Sequence, residues 1–207
     1  NNLMAAAVGT GLLWFGWFGL NAGGAYQAGN LAAVAFANTF IALASGMVTW
    51  TIYARLVRAK FDFVDVMTGS VAGLATITPI AGYIEPYKAV LVGIVAGIIC
   101  NIALSFQEKK GWDDALGVWG VHGIGGFTGT ILIGLLADKE INGVSASLQQ
   151  LKIQVGGVIF VALYAFILTA IILKLLSHVM RIKPSDEQIQ QGLDETLLNE
   201  QTYDLNP

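Results

Sequence analysis

Cysteine is nearly absent. The single Cys100 excludes an internal disulfide and a cysteine-based metal site, and its apolar surroundings read as those of a small buried hydrophobe. Charge is scarce too: 12% of the 207 residues are Asp, Glu, Lys or Arg, against about 25% in a soluble domain. Hydrophobic residues make up 55% and mean hydropathy is +0.65, which points to lipid as the solvent. The basic residues form no clustered face, so nucleic-acid binding is not expected. The chain has no phosphate-cradling loop, nucleophile–base pair or metal-ligand spacing. It therefore offers no candidate site for a soluble enzyme, and no cofactor or metal is expected. It also lacks an initiator methionine and the basic head, short apolar run and small-residue cleavage site of a signal peptide. Beginning at Asn1, it reads as processed or as part of a longer polypeptide.

Long apolar runs, by contrast, are plentiful. A span needs about 20 mostly apolar residues. Six stretches are expected to qualify, near Met4–Asn21, Ala32–Ala54, Val64–Ile84, Ala89–Phe106, Ala115–Ala137 and Val155–Leu176. The connections between them, such as "EPYK" and "QEKKGWDD", carry turn or breaker chemistry. The expected class is therefore all-α, a polytopic membrane helix bundle over residues 1–180. A polar tail follows over 181–207, where much of the acid behind the net charge of −3 resides. Arg55, Arg58, Lys60, Lys109, Lys110, Lys174, Arg181 and Lys183 fall at one set of span ends, and only Lys88, Lys139 and Lys152 at the other. By the positive-inside rule both ends of the chain are cytoplasmic, and the location is the cell (inner) membrane.

Three features stand out within the spans. Gly69/Gly73, Gly93/Gly97 and Gly125/Gly129 are spaced to let helices approach closely, since lipid supplies little hydrophobic drive between them. His122, in "GVWGVHGIGGFTGT", is an ionisable ring in an apolar segment. That is costly, and by default it marks a functional site facing the bundle interior or a cavity. The blander reading is a buried histidine bonded to a backbone carbonyl. His178, beside "HVMRIK", reads as interfacial. In "LLWFGWFGLNAGG", Trp14 and Trp17 fit an aromatic belt; Trp17 fits equally a vestibule where its ring attracts a small cation. Thr78-Pro79 fits a simple kink, or a broken helix lining a cavity.

"LLWFGWFGLNAG", "GSVAGLATITPIAGYI", "DDALGVWGVHGIGG" and the tail "EQIQQGLDETLLNEQTYD" together resemble, in order over nearly the whole chain, the second half of ammonium transporters, the Amt/Mep/Rh family. The resemblance implies the second inverted repeat of an eleven-helix fold plus its long final helix, assembled as trimers with a narrow apolar pore in each monomer. It places His122 as the second of two paired pore histidines, Trp17 as the tryptophan beside that pair and Thr78 as a polar group near it. Leu13, Val118 and Trp119 fall at pore-wall positions. It further implies that ammonium loses a proton before ammonia crosses the apolar middle. The partner histidine belongs to a first half expected from an upstream segment or a separate chain.

The match is not uniform. Leu20 and Gly24 stand where the family's outer mouth has a gate phenylalanine and an ion-binding serine. Gly117 replaces an aspartate usual before the histidine motif, and Trp119 a common phenylalanine. In the tail, Gly192, Leu193, Asp194 and Tyr203 match the family's cytoplasmic regulatory region, which touches neighbouring subunits and, in many bacteria, PII-type signal proteins. Leu198-Asn199 stands where His-Gly is common. A transporter is the leading expectation; an ammonium sensor coupled to a signalling domain is the alternative, and a non-conducting subunit a third.

Overall fold

Several helices start where a side chain can take up free backbone groups. In a computed structural model describing residues 2–59 and 62–200, Asn2 opens α1 (Leu3–Gly23), its side chain accepting from the Ala5 amide at 3.0 Å. After α2 (Asn30–Arg58), α3 (Phe63–Ile77) begins on a reciprocal capping box between Asp62 and Asp65. α4 (Pro86–Lys110) has proline at its start, where no amide hydrogen is needed, and ends on left-handed Gly111. A π-helical turn, Trp119–Ile124, runs directly into α5 (Gly125–Leu136). The short α6 (Lys139–Asn142) precedes the long α7 (Leu148–Val179). No strand occurs among the described residues.

Among the described residues, five helices, with Trp119–Leu136 taken as one, are long and apolar enough to cross a bilayer. α3, at 15 residues, falls short because the third expected span, Val64–Ile84, does not continue as helix. Pro79 has no N–H for the carbonyl four residues back, and the chain turns through residues 78–84 instead. Ile80, Ala81 and Ile84 are nevertheless buried, and the turn is latched from α2. The Asn38 amide donates to the carbonyls of Ala81 and Ile84, each at 2.7 Å. Thr78-Pro79 is thus a broken helix rather than a kink. The fifth expected span begins late for a related reason: Gly117 takes a left-handed φ of +63° just before the π-helical turn.

Backbone contact at glycines holds the helices together. Gly46 of α2 lies so close to α3 that a Cβ there would stand 2.9 Å from the Gly69 carbonyl oxygen. On the facing helices, a Cβ at Gly73 would stand 2.2 Å from the Ala42 oxygen, and one at Gly97 2.9 Å from the Trp50 amide nitrogen. α2 is therefore clasped between α3 and α4 along Ala42, Gly46 and Trp50. Gly125 and Gly129 likewise bring α5 against Thr76 of α3.

A clamp joins the other ends. Lys88 Nζ donates to the Leu136 carbonyl at 3.0 Å and meets Asp138 at 3.3 Å, and the Asp138 amide donates to the Tyr83 carbonyl at 2.7 Å. The Glu140 amide and Lys88 hold the Asp138 carboxyl below its ordinary value near 3.8.

The chain divides into two compact units, Asn1–Ile159 and Phe160–Pro207. The second contains the rest of α7, exposed throughout, then α8 (Asp186–Gln191) on a Ser185/Gln188 capping box, and a π-helical turn at Asp194–Leu198.

Two outcomes follow from this packing. Gly73→Ala forces a methyl into the α2 backbone and is expected to cost about 1–3 kcal/mol, read as a lower melting temperature of the purified protein. Gly9→Ala, with open space at its Cβ, leaves it unchanged or higher. Because its folded-state pKa is depressed, the Asp138 carboxylate adds stability that is complete above 3.8 and lost as pH falls through the lowered value. Asp138→Asn should therefore melt below the parent at neutral pH, and the gap should close as pH is taken well below 3.8.

Candidate functional site

The break after α3 creates the site. With the helix stopped at Ile77, the Thr78 hydroxyl donates back to the Leu74 carbonyl at 2.7 Å and is left on an exposed face. There it accepts the Trp17 indole N–H at 2.8 Å. One turn away on α1, the Trp14 indole donates to Ser70 of α3 at 3.0 Å. Trp14 is therefore turned toward α3, not outward as a belt residue. These two bonds fix α1 against α3, and Asn21, donating to Thr39 of α2 at 3.0 Å, adds a third anchor.

His122 comes to the same place from the π-helical turn. Its ring lies nearly parallel to that of Trp17, 12° off, with centroids 5.8 Å apart. The histidine is exposed, and neither ring nitrogen has a hydrogen-bond partner among the described residues. The reading of a buried, backbone-bonded histidine is overturned. A π-helical turn carries wider than α-helical spacing and recurs at functional sites; here it is backed by glycine. A Cβ at Gly120 would stand 2.5 Å from Leu104, and one at Gly125 2.8 Å from the Thr76 hydroxyl. Those glycines press the turn onto α3 and α4, which leaves His122 on the opposite, open side.

The start of the turn is capped from "QEKKGWDD", a connection whose Asp113 and Asp114 suit a helix start. Asp114 accepts the Val118 amide at 3.0 Å and the Trp119 amide at 2.8 Å, one on each carboxylate oxygen. Gly117 is explained by its conformation, and by Leu104, which would stand 2.9 Å from a Cβ there. Trp119 is drawn into a three-ring cluster, 5.3 Å from Trp112 and 6.4 Å from Phe106 between centroids.

Leu13, Trp17 and Leu20 line an open apolar groove of about 500 Å³ on α1 together with Gly9, Leu12 and Gly16. Val118 is exposed, as is Gly24 just past the end of α1. The structure thus brings Trp17, Thr78 and His122 together and sets Leu13 and Leu20 beside Trp17. In the second unit Gly192 ends α8 with φ +104°, and Leu193 and Asp194 open the following turn. Tyr203 lies outside the described residues. Asn38 and Ser70 are the site-building residues that sequence reasoning passed over. The usable signal was a polar side chain inside an apolar span, which Asn38 and Ser70 both show.

The profile of the Ammonium Transporter Family matches residues 1–203. An ammonium transporter of Aquifex aeolicus is 39% identical over 99% of this chain and 49% of its own length. The crystal structure of Candida albicans Mep2 superposes with a TM-score of 0.84 at 34% identity, over 91% of this chain and 44% of that one. A structure titled "Sensor Amt Protein" superposes with a TM-score of 0.88 at 33% identity, over 94% of this chain and 49% of that one. The chain spans about half the length of the curated relatives it matches.

Thr78→Val keeps the side-chain shape and removes the acceptor of the Trp17 indole. A double-mutant cycle with Trp17→Phe, read from thermal unfolding, should return a coupling of about 0.5–1.5 kcal/mol. A coupling near zero would mean that the bond contributes nothing to holding α1.

Proposed function

Because the chain belongs to the ammonium transporter family, we propose that it forms one wall of a narrow pore for ammonium and ammonia in the cell (inner) membrane, with His122 as its proton-handling group. The observation that carries this reading is the exposed, unbonded imidazole stacked on Trp17. A neutral imidazole offers one donor and one acceptor nitrogen. On an apolar wall it takes the proton that ammonium gives up on becoming ammonia, and orients the ammonia where water is excluded. Trp17 fixes the plane of the ring, and Thr78 fixes Trp17. Leu13, Val118 and Trp119 supply the apolar wall, and a first-half segment bearing the partner histidine, upstream or on a separate chain, supplies the other.

Residues 1–180 cross the membrane six times, five times by a helix long enough to span and once by α3 with the turn that follows it, with both ends cytoplasmic, in keeping with the basic residues at the ends of α2 and α4. The protein assembles as a homotrimer. The tail from 181 carries a regulatory contact through Gly192, Leu193, Asp194 and Tyr203 with neighbouring subunits or a PII-type signal protein. A sensor is the second reading, favoured by Leu20 and Gly24, which give the outer mouth neither an aromatic face nor a hydroxyl for the ion, and by the likeness to a structure titled as a sensor.

Liposomes holding the purified protein, pulsed with ammonium, should give a sustained current that falls at least about tenfold with His122→Ala, a barrier change of about 1.4 kcal/mol. Sustained current unaffected by that substitution would remove His122 from the pore. A brief transient without sustained current would make the protein a sensor.

A further inference from the structure

We infer that Trp112, in the loop after α4, is a positioning residue for His122: it holds the Trp119 ring at the foot of the π-helical turn and so keeps the open side of His122 clear. The inference rests on the reading of His122 as the proton-handling group of the pore.

Three of the five tryptophans are fixed by the indole N–H, Trp14 on Ser70, Trp17 on Thr78 and Trp50 on Asp65. The indoles of Trp112 and Trp119 have no hydrogen bond among the described residues and stand in ring contacts instead. For Trp112 the hold begins in the backbone. α4 ends with left-handed Gly111 donating to the Glu108 carbonyl at 3.0 Å and the Trp112 amide donating to the Gln107 carbonyl at 3.3 Å. That pair of bonds is a Schellman ending, which an apolar contact back onto the helix usually accompanies. Here the contact is between rings: Trp112 meets Phe106 edge-on at 5.7 Å between centroids, and Lys110 Nζ lies over the same Phe106 ring at 5.5 Å. α4 therefore places Trp112 by itself.

Trp119 is placed less firmly. Its amide is bonded to Asp114, but its ring is 38% exposed and leans edge-to-face on Trp112 at 5.3 Å, with Phe106 at 6.4 Å. The positions beyond it on its own helix carry no side chain. A Cβ at Gly123 would stand 3.8 Å from Trp119 Cδ1, and one at Gly126 would meet nothing within 4 Å. His122 comes three residues after Trp119, and residues at that spacing are neighbours on a helix surface. An aromatic side chain on a helix has two χ1 wells open to it. Contact with Trp112 and Phe106 selects the well in use. Without Trp112 the indole is free to take the other and to lie across the face onto which His122 opens.

Fluorine NMR of the purified protein carrying 5-fluorotryptophan tests this directly, each line being assigned by replacing that tryptophan with phenylalanine. Trp112→Ala should move the Trp119 line and, because Trp17 is stacked on His122, the Trp17 line as well. Added to Trp119→Ala, the same change should leave the Trp17 line where Trp119→Ala alone puts it. Trp112→Phe keeps a ring to lean on and should move both lines less than half as far. Ammonium current should fall at least threefold in Trp112→Ala, and should not fall further when Trp112→Ala is added to Trp119→Ala. A Trp119 line unmoved by Trp112→Ala overturns the assignment. So does a Trp17 shift or a loss of current that persists in full without the Trp119 ring. The lines report ring placement whether or not the protein carries current, so a parent without current removes the transport reading and leaves the lines to decide this one. Should Trp112→Ala not fold, Phe106→Leu withdraws the ring on which Trp112 rests and should move the Trp119 line; an unmoved line overturns the assignment.

Discussion

Direct backbone contact along α2 is the constraint on which the rest of the structure depends. In lipid, apolar side chains gain little by leaving the solvent, so helices hold together through close approach and polar bonds. Ala42 and Gly46 present a face with almost no relief beside the Trp50 side chain, and α3 and α4 meet it through glycines of their own. That contact fixes α3, and α3 carries Ser70, Thr76 and Thr78, to which α1 and α5 attach. Every member of the Trp17–Thr78–His122 set is therefore referred back to that seam.

The break in α3 is what gives a packing element its place in the candidate site. Thr78 still closes the ladder, its amide bonded to the Leu74 carbonyl at 3.2 Å. Interrupted at Pro79, the chain turns back under the latch of Asn38 and leaves a hydroxyl where α1 can bond it. The π-helical turn plays the same part on the other side, departing from regular helix to carry one ring outward. Both irregularities are held by buried neighbours, as locally costly backbone must be.

Legibility followed the range of the interactions. The membrane class, the six apolar stretches, His122, Trp17 and Thr78 were readable because each is a local anomaly: too much apolar sequence, or one polar or aromatic group set in it. The glycine pairs were readable from spacing alone, and the contacts they make bear that spacing out. Where α3 ends, and that the fifth span begins only at Trp119, was not readable. Those boundaries depend on Asn38 reaching across from α2 and on Asp114 turning back onto two amides. Gly117 looked like the loss of an acid, and only its left-handed backbone beside Leu104 shows why a side chain is unwelcome there.

The hydrogen-bond arithmetic of Thr78 reaches further than its role as an anchor. A hydroxyl has one proton to give and two lone pairs; here the proton is committed to Leu74 and one lone pair to Trp17. The indole N–H, the only polar group of Trp17, is spent on the same bond. Anything moving along this face therefore meets at Thr78 a single lone pair that can only accept, and at Trp17 a ring face with no donor. His122 alone among the three keeps nitrogens free both to give and to receive.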